Sequence, residues 1–398
     1  MDKYLKKIGG LDKTSWYLPI IIFIPSVFIL TTRLSLIPKR LSATESTTYS
    51  NLIHKNYSFN YLIHHITSSL YLVYLVILNY LNLHSLFLIR LSGLICGLLA
   101  IFIFFYITKA LTNSFISFAS TILFATSVWF LQIVRNSLNL DFYSFVILLA
   151  IYLSILYYRK KNLRLLALAS SILLGLSLYV PGMIWFSIIF IIINFKMLKL
   201  ETKILPLKIK ILAMSFFTIL LAPIVYEIVR HHNLIYSVLY LPHSISYHQI
   251  FKQFLYYPKY LFVQNSSVTA FSIGRLPIVN FATTILALFS ILWIIKHWKN
   301  PITKYIYWSL GLDWILSALN HNQSIYIILP LINLLSAIGL SYIYNEWKKI
   351  FPRNPYSDFA AKILICILIG VIGFYQILLY FIAWPHTINV LAIYSHHL

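Results

Sequence analysis

Apolar runs of about 20 residues, the length that crosses a bilayer as a helix, recur along almost the whole chain. Short polar segments separate them, and neither an internal repeat nor a linker marks off a soluble domain. The runs lie at 16–36, 86–108, 115–134, 141–158, 164–180, 183–198, 211–230, 275–295, 304–320, 324–344 and 363–384. The pattern therefore predicts an all-α integral membrane protein, a single polytopic domain over 1–398 with about 11 transmembrane helices.

Segment 61–83 is long enough to cross a bilayer but does not have the pattern of a span. It carries His64, His65, Asn79 and Asn82, and its uninterrupted apolar part is short. Several of its polar positions fall close to one helical face, which is typical of a helix that lies in the membrane interface. We therefore predict an interfacial helical loop after the first span.

The distribution of Lys and Arg decides the topology. If 61–83 lies on the outer surface, roughly two thirds of the 31 basic residues flank the inner ends of the spans, as the positive-inside rule requires. If 61–83 crossed the membrane, the basic clusters at 159–164 and 196–210 would face outward. The first arrangement predicts a multi-pass plasma-membrane protein with a cytoplasmic N-terminus, an outer C-terminus and large outer loops at 37–85 and 231–274.

Composition agrees with a membrane location. The chain is 60% apolar and 10% charged, whereas soluble proteins carry roughly a quarter charged residues. Its net charge of +22 is explained by contacts with anionic lipid headgroups, and nucleic acid binding is excluded because no soluble basic domain is present. Cys96 and Cys366 both lie in apolar runs without metal-ligand spacing, so we predict neither a disulfide nor a metal site with cysteine ligands.

Acidic residues are scarce, and near hydrocarbon each needs a physical reason. The chain has nine. Five fall in the basic inner segments, where pairing with nearby lysines in solvent accounts for them: Asp2, Asp12, Glu201, Glu346 and Asp358. The other four are Glu45, Asp141, Glu227 and Asp313.

These four acids have different explanations. Glu45 follows the first span and fits either an exposed helix-terminal charge or a functional acid. Asp141 opens the fourth span and fits an N-cap, an ion pair with Arg135 or a functional acid. Glu227 pairs with Arg230, one helical turn away. Asp313 lies inside the ninth span, where an acid is a functional candidate by default, and the sequence gives it neither a partner nor a role.

Cationic residues gather at the same predicted outer face. Arg90, Arg135 and Arg275 stand at or beside outer span ends, and His64 and His65 lie in the outer loop between Glu45 and Arg90. Each one alone is explained by interfacial contacts with lipid or water. Together with acids on the same face, they form a set that could bind a phosphate at the interface.

The order of these residues resembles that of the GT-C glycosyltransferases, in particular the bacterial relatives of protein O-mannosyltransferases and of the lipid A aminoarabinose transferase (a family 39-like layout). That family has an acidic DExxY-like motif in the outer loop after its first span. Here Glu45 and Tyr49 keep the acid-to-tyrosine spacing, with Ser46 in place of the second acid. His64-His65 stands where the family has His/Lys-Pro-Pro, without the prolines.

The resemblance continues as far as about residue 200. Arg90-Leu91-Ser92-Gly93-Leu94 is similar to the arginine segment before the family's second span. Arg135 and Asp141 match an Arg–Asp pair after its third span, and 175–181 is similar to a glycine-then-proline segment. The family's later Arg-Tyr motif is echoed only by Tyr326 and Pro330, without its arginine.

The resemblance implies a polyprenyl-phosphate sugar as donor and a hydroxyl on a glycan, lipid or protein as acceptor. Under it, Glu45 is the general base of an inverting transfer, and Asp141 orients the acceptor or the sugar. Tyr49 lines the substrate cavity. No cofactor is implied, and a divalent metal is left open. The candidates to hold the donor phosphate are Arg90, Arg135, Arg275, His64 and His65.

Two other functions fit the same sequence. A lipid or solute transporter or flippase would also be polytopic and basic, and Asp313 favours it, although the internal repeats and midplane helix breaks typical of transporters are missing from the sequence. A GT-C relative that has lost catalysis is favoured by the single acid at Glu45.

Overall fold

The computed structural model describes residues 17–38, 40–54, 61, 69–83, 85–136, 141–159, 162–242, 246–264, 272–320, 325–352 and 354–395. Every regular element within these ranges is a helix. The helices are α1 Tyr17–Thr31, α2 Ala43–Ile53, α3 Ser69–Tyr80, α4 Leu86–Leu111, α5 Ser114–Thr126, α6 Val128–Val134, α7 Asp141–Tyr158, α8 Leu163–Ser177, α9 Met183–Ile204, α10 Leu207–Arg230, α11 Leu234–Leu239, α12 Tyr247–Phe262, α13 Phe281–Lys296, α14 Pro301–Leu319, α15 Ile325–Ile350, α16 Pro355–Leu378 and α17 Ile388–Ile393. A π-helical segment, Leu379–Ala383, and a 3-10 turn, Trp384–His386, join α16 to α17.

Five helices are long and apolar enough to cross a membrane, and a bent pair is a sixth candidate. The five are Leu86–Leu111, Met183–Leu200, Leu207–Arg230, Ile327–Ile350 and Tyr356–His386. The bent pair is α5 and α6, whose axes differ by 61° across a break at Ser127. The chain is thus an α-helical, membrane-embedded protein, as its sequence predicts.

Four other predicted spans correspond to shorter apolar helices: Pro19–Thr31, Phe142–Tyr158, Leu163–Ser177 and Phe281–Lys296. Helix α7 has the predicted bounds 141–158, whereas the helices at 16–36, 164–180 and 275–295 are shorter than their apolar runs. Apolar residues continue past the helix ends into turns, and the predicted span 275–295, for example, becomes helical only after Asn280. The predicted span 304–320 corresponds to α14, which is neither among the spans nor among the shorter apolar helices.

Within the predicted interfacial loop, the structure describes helix α3 over Ser69–Tyr80. Residues 62–68, directly before it, lie outside the described residues, so the interfacial position of segment 61–83 stays a prediction.

Asparagine starts four of the helices by capping their free backbone N–H groups. The side-chain oxygen of Asn113 accepts from Ile116 N at 2.8 Å, and that of Asn280 accepts from Ala282 N at 2.9 Å. Asn300 and Asn354 cap α14 and α16 in the same way, each followed by a proline at the first helical position. These caps fix where apolar sequence becomes helix.

Helix α15 is central in the bundle. In its segment Ile327–Ile350, 83% of the most apolar stretch is buried, far more than in the other candidate spans. Gly339 lets α13 approach closely, because a Cβ there would lie 1.7 Å from Leu286 O. The largest apolar cluster includes residues from Ile22 to Tyr394, so both ends of the described chain pack into one core.

The acids at the predicted inner ends of α15 and α16 pair with lysine, as the sequence indicates. Asp358 lies 2.9 Å from Lys348 Nζ and 2.7 Å from Lys362 Nζ. Glu346 lies 2.6 Å from Lys349 Nζ. The predicted pairings of Asp2, Asp12 and Glu201 fall on side chains outside the described part of the structure. Cys96 and Cys366 both lie within the described residues and form no disulfide, and Cys366 is exposed on α16.

Candidate functional site

Glu45 is placed by the first turn of α2. Ser42 is the N-cap, and its hydroxyl accepts from Glu45 N at 3.2 Å. Glu45 Oε2 accepts in return from Ser42 N at 3.3 Å, which completes a capping box. The acid therefore has the predicted helix-terminal position, but it is 1% exposed and is not a solvated loop charge.

Arg90 forms a two-pronged ion pair with Glu45. Its Nε donates to Glu45 Oε1 at 2.9 Å, and its Nη2 donates to Oε2 at 3.1 Å. Nη1 donates to the carbonyls of Leu34 and Ile37, at 2.8 and 3.3 Å, in the loop after α1. Arg90 is fully buried, so this side chain joins α4 to both α2 and the loop that precedes it.

Arg135 closes the end of α1. From the end of α6, its Nη1 donates to Ile29 O at 2.7 Å and Leu30 O at 3.1 Å, and its Nη2 donates to Thr32 O at 2.7 Å. These carbonyls belong to the last turn of a helix, where partners are missing and a positive charge is favourable. Within the described residues, Arg135 is thus held by carbonyls and rings and has no carboxylate partner.

Gly93 allows the two arginines to lie near each other. A Cβ at this position of α4 would stand 2.4 Å from Val134 O and 3.2 Å from Asn136 O, so only glycine permits α6 to end against α4. Burial lowers the pKa of Arg135, and the neighbouring Arg90 charge lowers it further. Among the side chains that the structure describes, two guanidinium groups and one carboxylate form the buried cluster of Glu45, Arg90 and Arg135, so one positive charge has no acidic partner there.

Aromatic residues near the C-terminus cover this cluster. The Arg135 guanidinium lies 5.2 Å from the ring centre of Tyr380 and 5.0 Å from that of Phe381, both in the π-helical segment. Trp384 stacks on Tyr380 at 5.2 Å and is fully buried. Tyr394 donates to Asn136 Oδ1 at 2.9 Å, and burial, then the nearby Glu45 charge, raise its pKa.

A cavity of about 170 Å³ lies between α6, the segment 273–281 and α16. Its walls are mainly apolar, and Gln132, Asn280 and Gln376 are its amides. Gln132 comes one turn before Arg135. Gln376 accepts from Val128 N at 2.9 Å and so satisfies the N–H exposed at the break between α5 and α6.

The structure locates only some of the other predicted site residues. Arg275 is exposed, next to Gly274, in the segment that lines the cavity. Tyr49 packs against the apolar cluster between α2, α3 and α4. Asp141 opens α7, but its side chain lies outside the description, and His64 and His65 lie outside the described residues altogether. The structure therefore joins Glu45, Arg90 and Arg135 and leaves convergence with Asp141 a prediction.

The two remaining acids are buried. Glu227 is fully buried with Oε2 3.8 Å from His231 Nε2, while Arg230 lies over the Tyr226 ring at 4.5 Å. Asp313, which has no partner evident in the sequence, accepts a hydrogen bond of 2.5 Å from Tyr257 of α12. Among the described residues, no group of three or more His, Cys, Asp or Glu is placed to hold a metal ion.

Several residues that surround the cluster of Glu45, Arg90 and Arg135 were not identified from the sequence. The Ser42-x-x-Glu45 capping box is a local pattern that sequence reading could have found. Asn136, Tyr380 and Tyr394 carry no such signal, because they meet only through contacts up to 258 residues apart in the chain. In a protein with 30 tyrosines, nothing local distinguishes these two.

No protein-family model matches the chain, and no curated protein is significantly similar to it.

Proposed function

We propose that this protein is a GT-C-type membrane glycosyltransferase that transfers a sugar from a polyprenyl-phosphate donor to an acceptor hydroxyl on the outer face of the plasma membrane. The observation that carries the proposal is the buried cluster of one acid, Glu45, and two guanidinium groups, Arg90 and Arg135. The GT-C-like bundle of about 11 spans, the cytoplasmic N-terminus and the outer C-terminus belong to the same proposal.

The charge of the cluster suits this donor. A sugar linked to a polyprenyl chain through one phosphate carries a single negative charge, which the extra positive charge of the cluster would neutralise. Guanidinium groups also suit phosphate oxygens geometrically, since they donate in a planar fork. The neighbouring cavity is mainly apolar, as the first prenyl units require, and Arg275 stands exposed on the segment that lines it.

Catalysis under this proposal requires Glu45 to change partners. Both of its oxygens now accept from Arg90. Donor phosphate would compete for Arg90, freeing a Glu45 oxygen to take the proton of the acceptor hydroxyl. The hydroxyl oxygen then bonds to the anomeric carbon while the bond from that carbon to the phosphate oxygen breaks. Polyprenyl phosphate leaves with the electron pair, and the anomeric configuration inverts.

The proposal gives the other predicted residues supporting roles. Asp141 orients the acceptor or the sugar, His64 and His65 assist at the phosphate, and Tyr49 borders the sugar. Little general-acid help is needed, because phosphate is a good leaving group. The proposal includes no cofactor and leaves a divalent metal open.

Donor binding tests the proposal at Arg135. The purified chain in lipid nanodiscs would be labelled with a photoreactive polyprenyl phosphate. We expect the label in the peptides that line the cavity, and Arg135→Gln should reduce labelling about 10-fold or more, because charge-assisted hydrogen bonds contribute roughly 1.5–3 kcal/mol. Arg159→Gln is the control, since this half-buried arginine lies at the predicted inner face. Equal labelling of wild type and Arg135→Gln would contradict the proposed site.

One observation favours a second candidate, a GT-C relative without catalytic activity. Glu45 is 1% exposed and its oxygens are occupied by Arg90 and Ser42, as in a purely structural clamp. Such a protein would bind polyprenyl phosphate and release no sugar. Release of labelled sugar from the donor by the wild-type protein separates the two candidates. Asp313, the residue that favoured a transporter, is hydrogen-bonded to Tyr257 of α12, so a structural contact accounts for this buried acid.

A further inference from the structure

One face of helix α12 is apolar and basic and points away from the helix bundle. Tyr247 is 83% exposed, Phe251 65% and Leu255 59%, and these residues follow one another at one-turn intervals. His248, Lys252 and Lys259 are also exposed and occupy the adjacent strip of the helix. Large apolar side chains beside cations, both turned away from the protein core, are unsuited to water alone and suited to a membrane interface.

The opposite face of α12 attaches to α14 by specific contacts. Tyr257 is fully buried and donates to Asp313. Trp314 Nε1 donates to Phe254 O at 2.9 Å, and the rings of these two residues stack at 5.1 Å. Leu261 is buried one turn after Tyr257. These contacts fix the rotation of α12 about its axis. The apolar and basic surface therefore faces away from the bundle because the helix is held in this orientation.

The charged residues in the segment that contains α12 are all basic. The predicted outer loop 231–274 contains no Asp or Glu at all. Lys259 Nζ lies 5.6 Å from the ring centre of Tyr256, which keeps its charge at the helix surface. A neighbouring copy of this chain would bring its own uncompensated lysines to the same surface, so charge complementarity favours a negatively charged occupant.

We propose that α12 is an interfacial helix whose outward face binds the headgroups of anionic phospholipids. Phe251, Leu255 and Phe262 enter the boundary between headgroups and acyl chains. Lys252 and Lys259, on the neighbouring strip, contact the phosphates. The bond between Tyr257 and Asp313 holds the helix at this depth against the bundle. The inference is independent of the proposed glycosyltransferase activity, because it uses neither the cluster nor the cavity.

Lipid titration tests the charge contribution. The full chain in detergent would be titrated with dioleoyl-phosphatidylglycerol and, separately, with dioleoyl-phosphatidylcholine, and lipid binding followed by native mass spectrometry. We expect tighter binding of the anionic lipid. Lys252→Gln/Lys259→Gln should weaken it roughly 10- to 30-fold, about a factor of five for each lysine, with little change for phosphatidylcholine. Lys208→Gln/Lys210→Gln, which removes two lysines from the start of α10, is the matched control.

If the control pair weakens phosphatidylglycerol binding as much as the α12 pair, or if neither does, α12 is not the anionic lipid site. A depth measurement gives a second test that does not depend on affinity. With Cys96 and Cys366 changed to Ala, Phe251→Cys would carry an environment-sensitive fluorophore in nanodiscs. We expect quenching by lipids spin-labelled near the headgroup. Quenching by aqueous iodide instead would overturn the proposal.

The control for the quenching experiment is Gln253→Cys, on the side of α12 that faces the bundle, which should be quenched weakly by both agents.

The labelled Phe251→Cys protein also distinguishes a protein occupant of the α12 surface from lipid. A fluorescence at position 251 that depends on the number of chains per nanodisc would show that a second copy, and not lipid, covers the helix.

Discussion

Burying a guanidinium is costly unless its donors find acceptors. Arg90 and Arg135 find theirs in different ways, and within the described residues Arg135 Nε has no acceptor. Arg90 binds a carboxylate and two loop carbonyls. Among the described residues, Arg135 binds carbonyls at the end of α1, together with two aromatic faces. The first arginine is therefore neutralised by a carboxylate within the protein. The second has no acidic partner among the described side chains, and under the proposal its charge binds the donor phosphate.

The pair of Glu45 and Arg90 should show strong energetic coupling. Glu45→Leu leaves Arg90 buried without its counter-ion and should destabilise the protein by roughly 3–5 kcal/mol. Glu45→Leu/Arg90→Leu should cost clearly less than the sum of the two single changes, because neither member of the ion pair is left buried without the other. Thermal unfolding in detergent measures this. Additive losses would mean that the ion pair is not formed in the folded protein.

At the scale of elements, the site depends on where helices end against each other. The end of α6 reaches α4 at Gly93, which lies one helical turn after Arg90. This contact brings Arg135, at the end of α6, close to Arg90. The C-terminal segment then crosses the cluster, tied down by Tyr394 on Asn136 and by Asn389, whose Nδ2 donates to Ser272 Oγ at 2.9 Å. The break in one span and the π-helical segment in another thus meet at the site, and such irregularities are frequent at functional sites.

Gly93→Ala tests the contact between α4 and α6. The added methyl would meet backbone oxygens, which cannot rotate away, so we expect a loss of roughly 1–3 kcal/mol and weaker donor binding. Gly370→Ala is the matched control, since a Cβ there meets nothing within 4 Å, and it should be neutral or stabilising by about 0.5–1 kcal/mol. If the two variants unfold at the same temperature, the close approach at Gly93 is absent.

The C-terminal segment must move if substrates are to reach Glu45. Ser272→Cys/Asn389→Cys, joined by a short bis-methanethiosulfonate reagent, would hold that segment over the cluster. We expect donor turnover to fall on cross-linking and to return after reduction. Each single cysteine variant, treated with the same reagent, is the control. Undiminished turnover of the cross-linked protein would mean that substrates reach Glu45 by another path.

At the scale of the whole molecule, the sequence pattern predicted the helical membrane class and the pairing of Glu346 and Asp358 with lysines. It overestimated the length of several helices, because apolar turns such as the one before Asn280 cannot be distinguished by sequence from part of a transmembrane helix. It also selected Glu45, Arg90 and Arg135, since charges in an apolar chain are few and need partners. The aromatic cover and the partner of Asp313 were not predictable, because they arise from contacts between distant segments.

The predicted topology has its own test. Ser395→Cys, in the chain without native cysteines, should react with a membrane-impermeant maleimide in intact cells, because the C-terminus is expected outside. Lys349→Cys, exposed at the opposite predicted face, should react only after the membrane is opened. The reverse pattern would place the basic segments outside and contradict the proposed orientation.

The most direct test of the proposed function is the transfer rate of Glu45→Gln, measured with a labelled polyprenyl-phosphate sugar. Glutamine keeps the volume of Glu45 and an oxygen that can accept from Arg90, but it cannot take a proton from the acceptor. With folding checked by thermal unfolding and Glu346→Gln as the control, we predict a fall of about 100-fold or more. A folded Glu45→Gln protein that transfers sugar at the wild-type rate would contradict the role of Glu45 as the base.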